Sequence, residues 1–191
     1  MFRHRSGRAG VAALEFALIL PVLLVVLIGT TEAVTYLRSW YRLDRTAAEV
    51  ANLASQYEQL DTATVALLFD AAGSIAAPRL AFNVNGVTER ARTVIAVVRG
   101  TGTANALAWS CSRGDATLIA NVAGTTTLPN GFIVPSGQTV LVVELINSTR
   151  PWQLLGAFTQ QVLPDPGPIR THAIVRPRQG QLTSIGGACP A

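Results

Sequence analysis

Residues 11–31 read VAALEFALILPVLLVVLIGTT, bounded by Arg8 and Glu32 and carrying a single charge, Glu15. At 1.5 Å per residue this run covers about 31 Å, which matches the roughly 30 Å hydrocarbon core of a bilayer. Arg3, Arg5 and Arg8 directly precede it, while Arg38, Arg42 and Arg45 follow at a greater distance. The positive-inside bias therefore favours a cytoplasmic N-terminus and a periplasmic or external C-terminal domain. A secretory signal peptide is the rival reading. Its apolar core is typically shorter and ends in a small-x-small cleavage site, whereas this run leads into Thr30-Thr31-Glu32-Ala33-Val34 without one.

Glu15 is the anomaly in this segment. A carboxylate within an apolar span costs a few kcal/mol at the helix centre and less near its end, so it either lies close enough to the interface to snorkel or marks a positive partner. Gly10 suggests where that partner comes from. A cut after Gly10 makes Val11 the new N-terminus and Glu15 its fifth residue. The α-amino group of one subunit can then neutralise Glu15 of a neighbour in the low-dielectric layer. Pro21 removes one backbone donor and frees the carbonyl of Ala17, so a kink or local loosening is expected there. Neighbouring helices can cover that carbonyl.

The stretch Arg8-Ala9-Gly10-Val11-Ala12-Ala13-Leu14-Glu15-Phe16 resembles the prepilin-peptidase site of type IV pilin-like proteins. Its continuation, Glu15-Phe16-Ala17-Leu18-Ile19-Leu20-Pro21-Val22-Leu23-Leu24, is similar to the TadE-like pseudopilins of tight-adherence (Flp) pili. The resemblance is strongest over residues 5–35. Shorter late strings, Val142-Val143-Glu144-Leu145 before Arg150-Pro151 and Ala173-Ile174-Val175-Arg176-Pro177-Arg178, resemble late segments of the same family. The resemblance implies processing by a prepilin peptidase at Gly10, Val11 and Glu15, with Glu15, Phe16 and Pro21 serving subunit assembly. It also implies other pilins and pseudopilins, an inner-membrane pilus assembly platform and membrane lipid as partners.

Beyond Glu32 the helical periodicity persists. Val34, Leu37, Trp40, Tyr41, Ala47, Ala48, Ala51 and Ala54 recur mostly at three- and four-residue spacing, with Arg38, Arg42, Arg45, Glu49 and Asn52 between them. One helix from Val11 to about Tyr57 would span about 70 Å. Trp40 and Tyr41 are expected to pack on the distal domain. Asp61 or Thr62 can cap a second helix over 63–72, with Gly73 as its stop and Val65, Leu67, Leu68 and Phe69 packed inward.

From Arg79 the pattern changes to short β-rich runs: 80–87, 92–99, 107–111, 132–134, 139–146 and 172–176. Asn85-Gly86, Gly100-Thr101-Gly102, Pro129-Asn130-Gly131 and Pro135-Ser136-Gly137 punctuate them. Residues 151–162 read as a short helix or an excursion between the last two strands, and 163–168 as a loop. The expected architecture is α+β: a long N-terminal transmembrane and stalk helix packed on a mainly antiparallel sheet. The expected divisions are a leader at 1–10, a transmembrane helix at 11–31, a helical stalk at 32–72 and an extracytoplasmic β-rich domain at 73–191.

Composition agrees with a chain partly in lipid: 14% of the 191 residues are charged and 49% hydrophobic. The net charge of +4 comes mainly from the leader arginines; from Val11 onward 12 arginines face 11 acids. No later stretch interleaves basic and aromatic residues, which argues against nucleic acid as a partner. Cys111 and Cys189 are an even pair in an exported domain, which suggests a disulfide, with two buried thiols as the alternative. His172 and two distant cysteines lack the spacing of a zinc site, so no metal is expected. Gly100-Thr101-Gly102-Thr103-Ala104-Asn105 lacks the third glycine of a dinucleotide loop. No nucleophile elbow is present either. The sequence thus points away from catalysis and cofactors and toward assembly of a pilus, with localisation in the bacterial inner membrane or a filament grown from it. A bitopic anchor displaying a periplasmic binding module is the second reading, and a secreted soluble protein the third.

Overall fold

The computed structural model describes residues 7–77, 90–122, 128–148 and 167–190. They fall into two compact units, one holding helical residues 7–37 and the other running from Arg38 through the sheet. The expected strand at 80–87, the Asn85-Gly86 turn, the segment at 151–162 and most of the 163–168 loop lie outside the described residues, as do leader residues 1–6.

Helix α1 runs Gly7–Ala54 with Pro21 inside it. Its apolar portion is long enough to cross a membrane: mean hydropathy reaches 2.9 in a window of which none is buried. At the end of the apolar run, three hydroxyls turn back onto the helix. Thr30 donates to the Val26 carbonyl at 2.7 Å, Thr31 to Leu27 at 2.9 Å and Thr35 to Thr31 at 2.9 Å. Each bond satisfies a hydroxyl within its own helix, so these threonines present mainly methyl groups outward.

In the second unit, the buried side of α1 is Ser39, Leu43, Thr46, Ala47, Val50, Ala51 and Ala54. Most of these are small, which lets the backbone approach its neighbours closely. The expected stripe is corrected at its start. Tyr41 is 63% exposed and so does not pack into the domain, while Trp40, 37% exposed, meets it edge-to-face with centroids 5.1 Å apart. Tyr41 precedes Leu43 by two residues, about 200° around the helix, so it cannot share that buried face. Val34, Leu37 and Ala48 are exposed as well.

A short strand β1 (Leu60–Asp61) leads into α2 (Thr62–Ala76). The Asp61 carboxylate accepts from the Thr64 N–H at 2.7 Å, so of the two candidate caps, Asp61 and Thr62, it is Asp61 that caps the helix. Gly73 does not stop this helix, which continues to Ala76. Ala72 and Ala76, one turn apart, are both fully buried and carry packing across the glycine. The stop comes from Pro78, which disfavours helical backbone in the residue before it; Ala77 is extended at ψ 142°. The Arg42 guanidinium donates to the freed Ala77 carbonyl at 2.7 Å. Val65, Leu68 and Phe69 are buried as expected, but Leu67 is 63% exposed.

The sheet comprises β2 (Ala91–Gly100), β3 (Asn105–Gly114), β4 (Thr139–Asn147) and β5 (Ile169–Val175) in the order β3-β2-β4-β5. All its pairings are antiparallel. The two inner strands are the most apolar, and all nine residues of β4 are buried. β2 and β3 form a hairpin through the Gly100-Thr101-Gly102 turn, with a register shift between Val97 and Val98. On one face Val94, Ala96, Val98, Val140, Val142 and Ile146 are covered by Leu118, Ala120, Val122, Leu128 and Val134 from the β3–β4 connection. On the other face Arg113 lies 5.2 Å over the Phe69 ring and bonds Asp70 at 2.7 Å, which places α2 there.

Residues 132–134 are not a strand. Pro129–Gly131 form a 3-10 turn with Asn130 at φ 59°, and the chain then runs alongside the sheet without a ladder. The Asn105 side chain substitutes for that ladder: its Nδ2 donates to the Phe132 carbonyl at 2.7 Å and its Oδ1 accepts from the Val134 N–H at 2.8 Å. Gly100 allows this close approach, because a Cβ there would lie 2.0 Å from the Val134 carbonyl oxygen. A last strand β6 (Ile185–Gly186) pairs in parallel with β1.

Candidate functional site

The sequence-derived processing and assembly residues all lie on α1. Along a helix, Val11, Glu15, Leu18 and Val22 share one face, with Glu15 one turn, about 6 Å, from Val11. Val11, Leu18 and Val22 are 57%, 72% and 62% exposed, so Glu15 is the single carboxylate on an otherwise apolar exposed face. Phe16, about 100° away, is 60% exposed. A side chain built at Gly10 would meet nothing within 4 Å. The helix begins at Gly7, earlier than the expected Val11, so the Gly10–Val11 bond follows its first turn. Removal of residues 1–10 would leave the Val11 amine beside the four free N–H groups of a new helix end, a concentration of positive potential. Pro21 continues the helix without its own N–H.

A carboxylate near one end of an exposed apolar helix costs less than one at its centre, and a positive group brought beside it would lower that cost further.

The second unit holds its own charged centre, which periodicity did not reveal. Glu144, in the middle of β4, is 2% exposed. One carboxylate oxygen accepts from the Asn121 N–H at 3.1 Å and the other from the Val122 N–H at 3.0 Å. Arg170 on β5 approaches it to 3.6 Å and also donates to the Ile119 carbonyl. Arg92 donates to the Leu118 carbonyl at 2.9 Å, and Arg90 pairs with Asp115 at 3.1 Å. The connection at 115–122 is therefore pinned to the sheet by three arginines and a buried carboxylate. A lone glutamate inside the hydrophobic run VLVVELIN was the available signal. This centre is structural: each oxygen of Glu144 meets a backbone donor, and both belong to the chain's own connection.

The disulfide joins Cys111 on β3 to Cys189, with Cα atoms 5.4 Å apart. The C-terminal segment is tied down along its course. The Arg178 N–H donates to Ser55, the Trp109 indole to the Leu182 carbonyl at 3.3 Å and the Thr62 hydroxyl to the Ala188 carbonyl at 2.6 Å. His172 is exposed on β5. Among the described residues no group of three or more His, Cys, Asp or Glu side chains is placed to hold a metal ion.

Comparison with known proteins bears on the first unit and the start of the second. Residues 10–52 match the family model described as TadE-like protein. No curated protein and no solved structure matches the chain.

Proposed function

We propose, from the TadE-like match over residues 10–52, that this chain is a minor pilin-like subunit acting in assembly or initiation of a tight-adherence pilus. A prepilin peptidase cuts between Gly10 and Val11 on the cytoplasmic side. The mature helix stays in the inner membrane with its sheet domain periplasmic, or enters the filament, packing laterally with other pilins and pseudopilins at the assembly platform. Glu15 recognises the freed amine of a neighbour, Phe16 packs beside it, and Pro21 relies on neighbouring helices to cover the Ala17 carbonyl. The chain acts as a building component and not as an enzyme.

The observation that carries this reading is Glu15, alone on an exposed apolar face one turn from Val11, inside the matched segment. A generic anchor has no need of an acid there. The test is the N-terminal sequence and intact mass of the protein from membranes, with and without the peptidase. A start at Val11 that disappears without the peptidase supports the proposal. An intact leader sinks it and leaves a bitopic anchor displaying a periplasmic module; a cut near Ala33 points to secretion.

A further inference from the structure

After β5 the chain crosses the surface of the second unit as a strap, residues 176–190. Its contacts are spread over several elements. At the end of α1, the Arg178 N–H donates to the Ser55 carbonyl at 2.9 Å and the Arg178 guanidinium to the Asn52 side chain at 2.6 Å. Gln181 donates to the Gly137 carbonyl at 2.7 Å, just ahead of β4. The Leu182 carbonyl accepts from the Trp109 indole on β3. β6 then pairs with β1, and the Thr62 hydroxyl donates to the Ala188 carbonyl. Gly187, at φ 123°, passes so close to α2 that a Cβ there would lie 2.6 Å from the Thr62 Oγ1.

Little of this is hydrophobic. Between Arg178 and Cys189, Leu182 is the one buried residue, and most of the others are exposed. A segment with few buried apolar contacts and many solvent-facing bonds opens locally at a lower cost than the sheet it lies on. The covalent bond at its far end, Cys111–Cys189, opposes that opening. The two sulfurs are unlike in access. Cys111, on β3, is 2% exposed, whereas Cys189 is exposed. A thiolate arriving from solvent therefore reaches the Cys189 Sγ first, and access is one of the factors that decide which sulfur is attacked.

We infer that the strap is a redox latch, opened by a dithiol protein acting at Cys189. The incoming thiolate bonds to the Cys189 Sγ as that sulfur's bond to the Cys111 Sγ breaks, and the Cys111 thiolate leaves and takes up a proton. The second thiol of the dithiol protein then displaces Cys189. The bridge ends as two thiols and the dithiol protein as a disulfide, two electrons having passed between them. Reduction leaves the strap seated by its hydrogen bonds but free to lift. Lifting uncovers Cys111, Trp109 and the edge of β1 while the four-stranded sheet stays paired. The latch does not depend on a cut after Gly10, so it and the processing of the leader fail separately.

The test uses the full chain in detergent micelles and a thioredoxin whose resolving cysteine is replaced by serine, so that the reaction stops at the mixed disulfide. The expected adduct is on Cys189. An adduct on Cys111, or none until denaturant is added, overturns the proposal. A second measurement follows the lifting of the strap in protein reduced with dithiothreitol. Protection of Cys111 against iodoacetamide is expected to be weaker, by about tenfold or more, than protection of the β4 amides against hydrogen exchange. Equal protection would mean that Cys111 is reached only when the whole unit unfolds, which makes the bridge a general staple and overturns the latch. G187A, which sets a methyl against the Thr62 hydroxyl, and L182A, which removes the buried anchor, are expected to weaken Cys111 protection further. Unchanged protection in both variants would show that the strap does not govern access, and would overturn the proposal as well.

Discussion

Replacing both bridged cysteines by alanine, C111A/C189A, measures what holds the C-terminal segment on the second unit. The residues are separated by 78 positions, so the bond closes a loop of nearly eighty residues. The chain-entropy expression for a loop of that size gives about 15 cal/mol/K, or about 4.5 kcal/mol at 25 °C, lost from the unfolded chain when the bond is present. The native side changes little, because Thr62, Trp109 and Arg178 still bind the segment and β1 still pairs with β6. Alanine avoids placing a hydroxyl at position 111, which is 2% exposed. For a unit of this size the loss corresponds to a drop in melting temperature of roughly 10–20 °C. The assay is thermal unfolding of the solubilised full chain followed by sheet circular dichroism, comparing oxidised wild type, dithiol-reduced wild type and the double variant. Reduced protein and variant should coincide. A drop of only a few degrees in both would refute the loop-closure reasoning and show that the segment's other bonds, or residual structure in the unfolded chain, already supply the restraint.

Glu144→Leu should destabilise the second unit by about 3–5 kcal/mol, since it strands Arg170 and two backbone donors together. Glu144→Gln should cost less, and hydrogen exchange at Val122 should rise in both; an unchanged exchange rate would remove Glu144 as the pin. On α2, Phe69→Ala should cost about 3–5 kcal/mol by chemical denaturation, while Leu67→Ser, two residues away but exposed, should stay within about 0.5 kcal/mol. The Asp61 carboxyl is held below its ordinary 3.8 by the Thr64 backbone N–H and then by the Thr64 hydroxyl. A depressed folded value means stability present above 3.8 and lost as pH falls through the lower folded value. The difference in unfolding midpoint between wild type and D61N should therefore be largest near neutral pH and shrink below 3.8. A constant difference across that window would show that the capping charge contributes nothing.

The long helix, the four strands near 92–99, 107–111, 139–146 and 172–176, the Asp61 cap and the pairing of Cys111 with Cys189 were legible in the chain. Each rests on a local signal: an uninterrupted apolar run, alternation of β-branched residues, a capping side chain, or a pair of cysteines in an exported context. The motif of Gly10, Val11 and Glu15 was equally local, since a charge in an apolar run stands out whatever the fold. Other features were decided by tertiary structure. Gly73 looked like a stop, but Ala72 and Ala76 are buried on either side of it, and packing outweighs the roughly 1 kcal/mol that glycine costs a helix. Residues 132–134 had the composition of a strand, yet Asn105 takes the hydrogen bonds a neighbouring strand would have made. Tyr41 had the size for a core, yet the helix turns its small residues to the domain and leaves Tyr41 63% exposed. Strand order and the pinning of the β3–β4 connection by Glu144 were invisible for the same reason. Periodicity records which residues avoid water, but only the assembled sheet determines what they meet there.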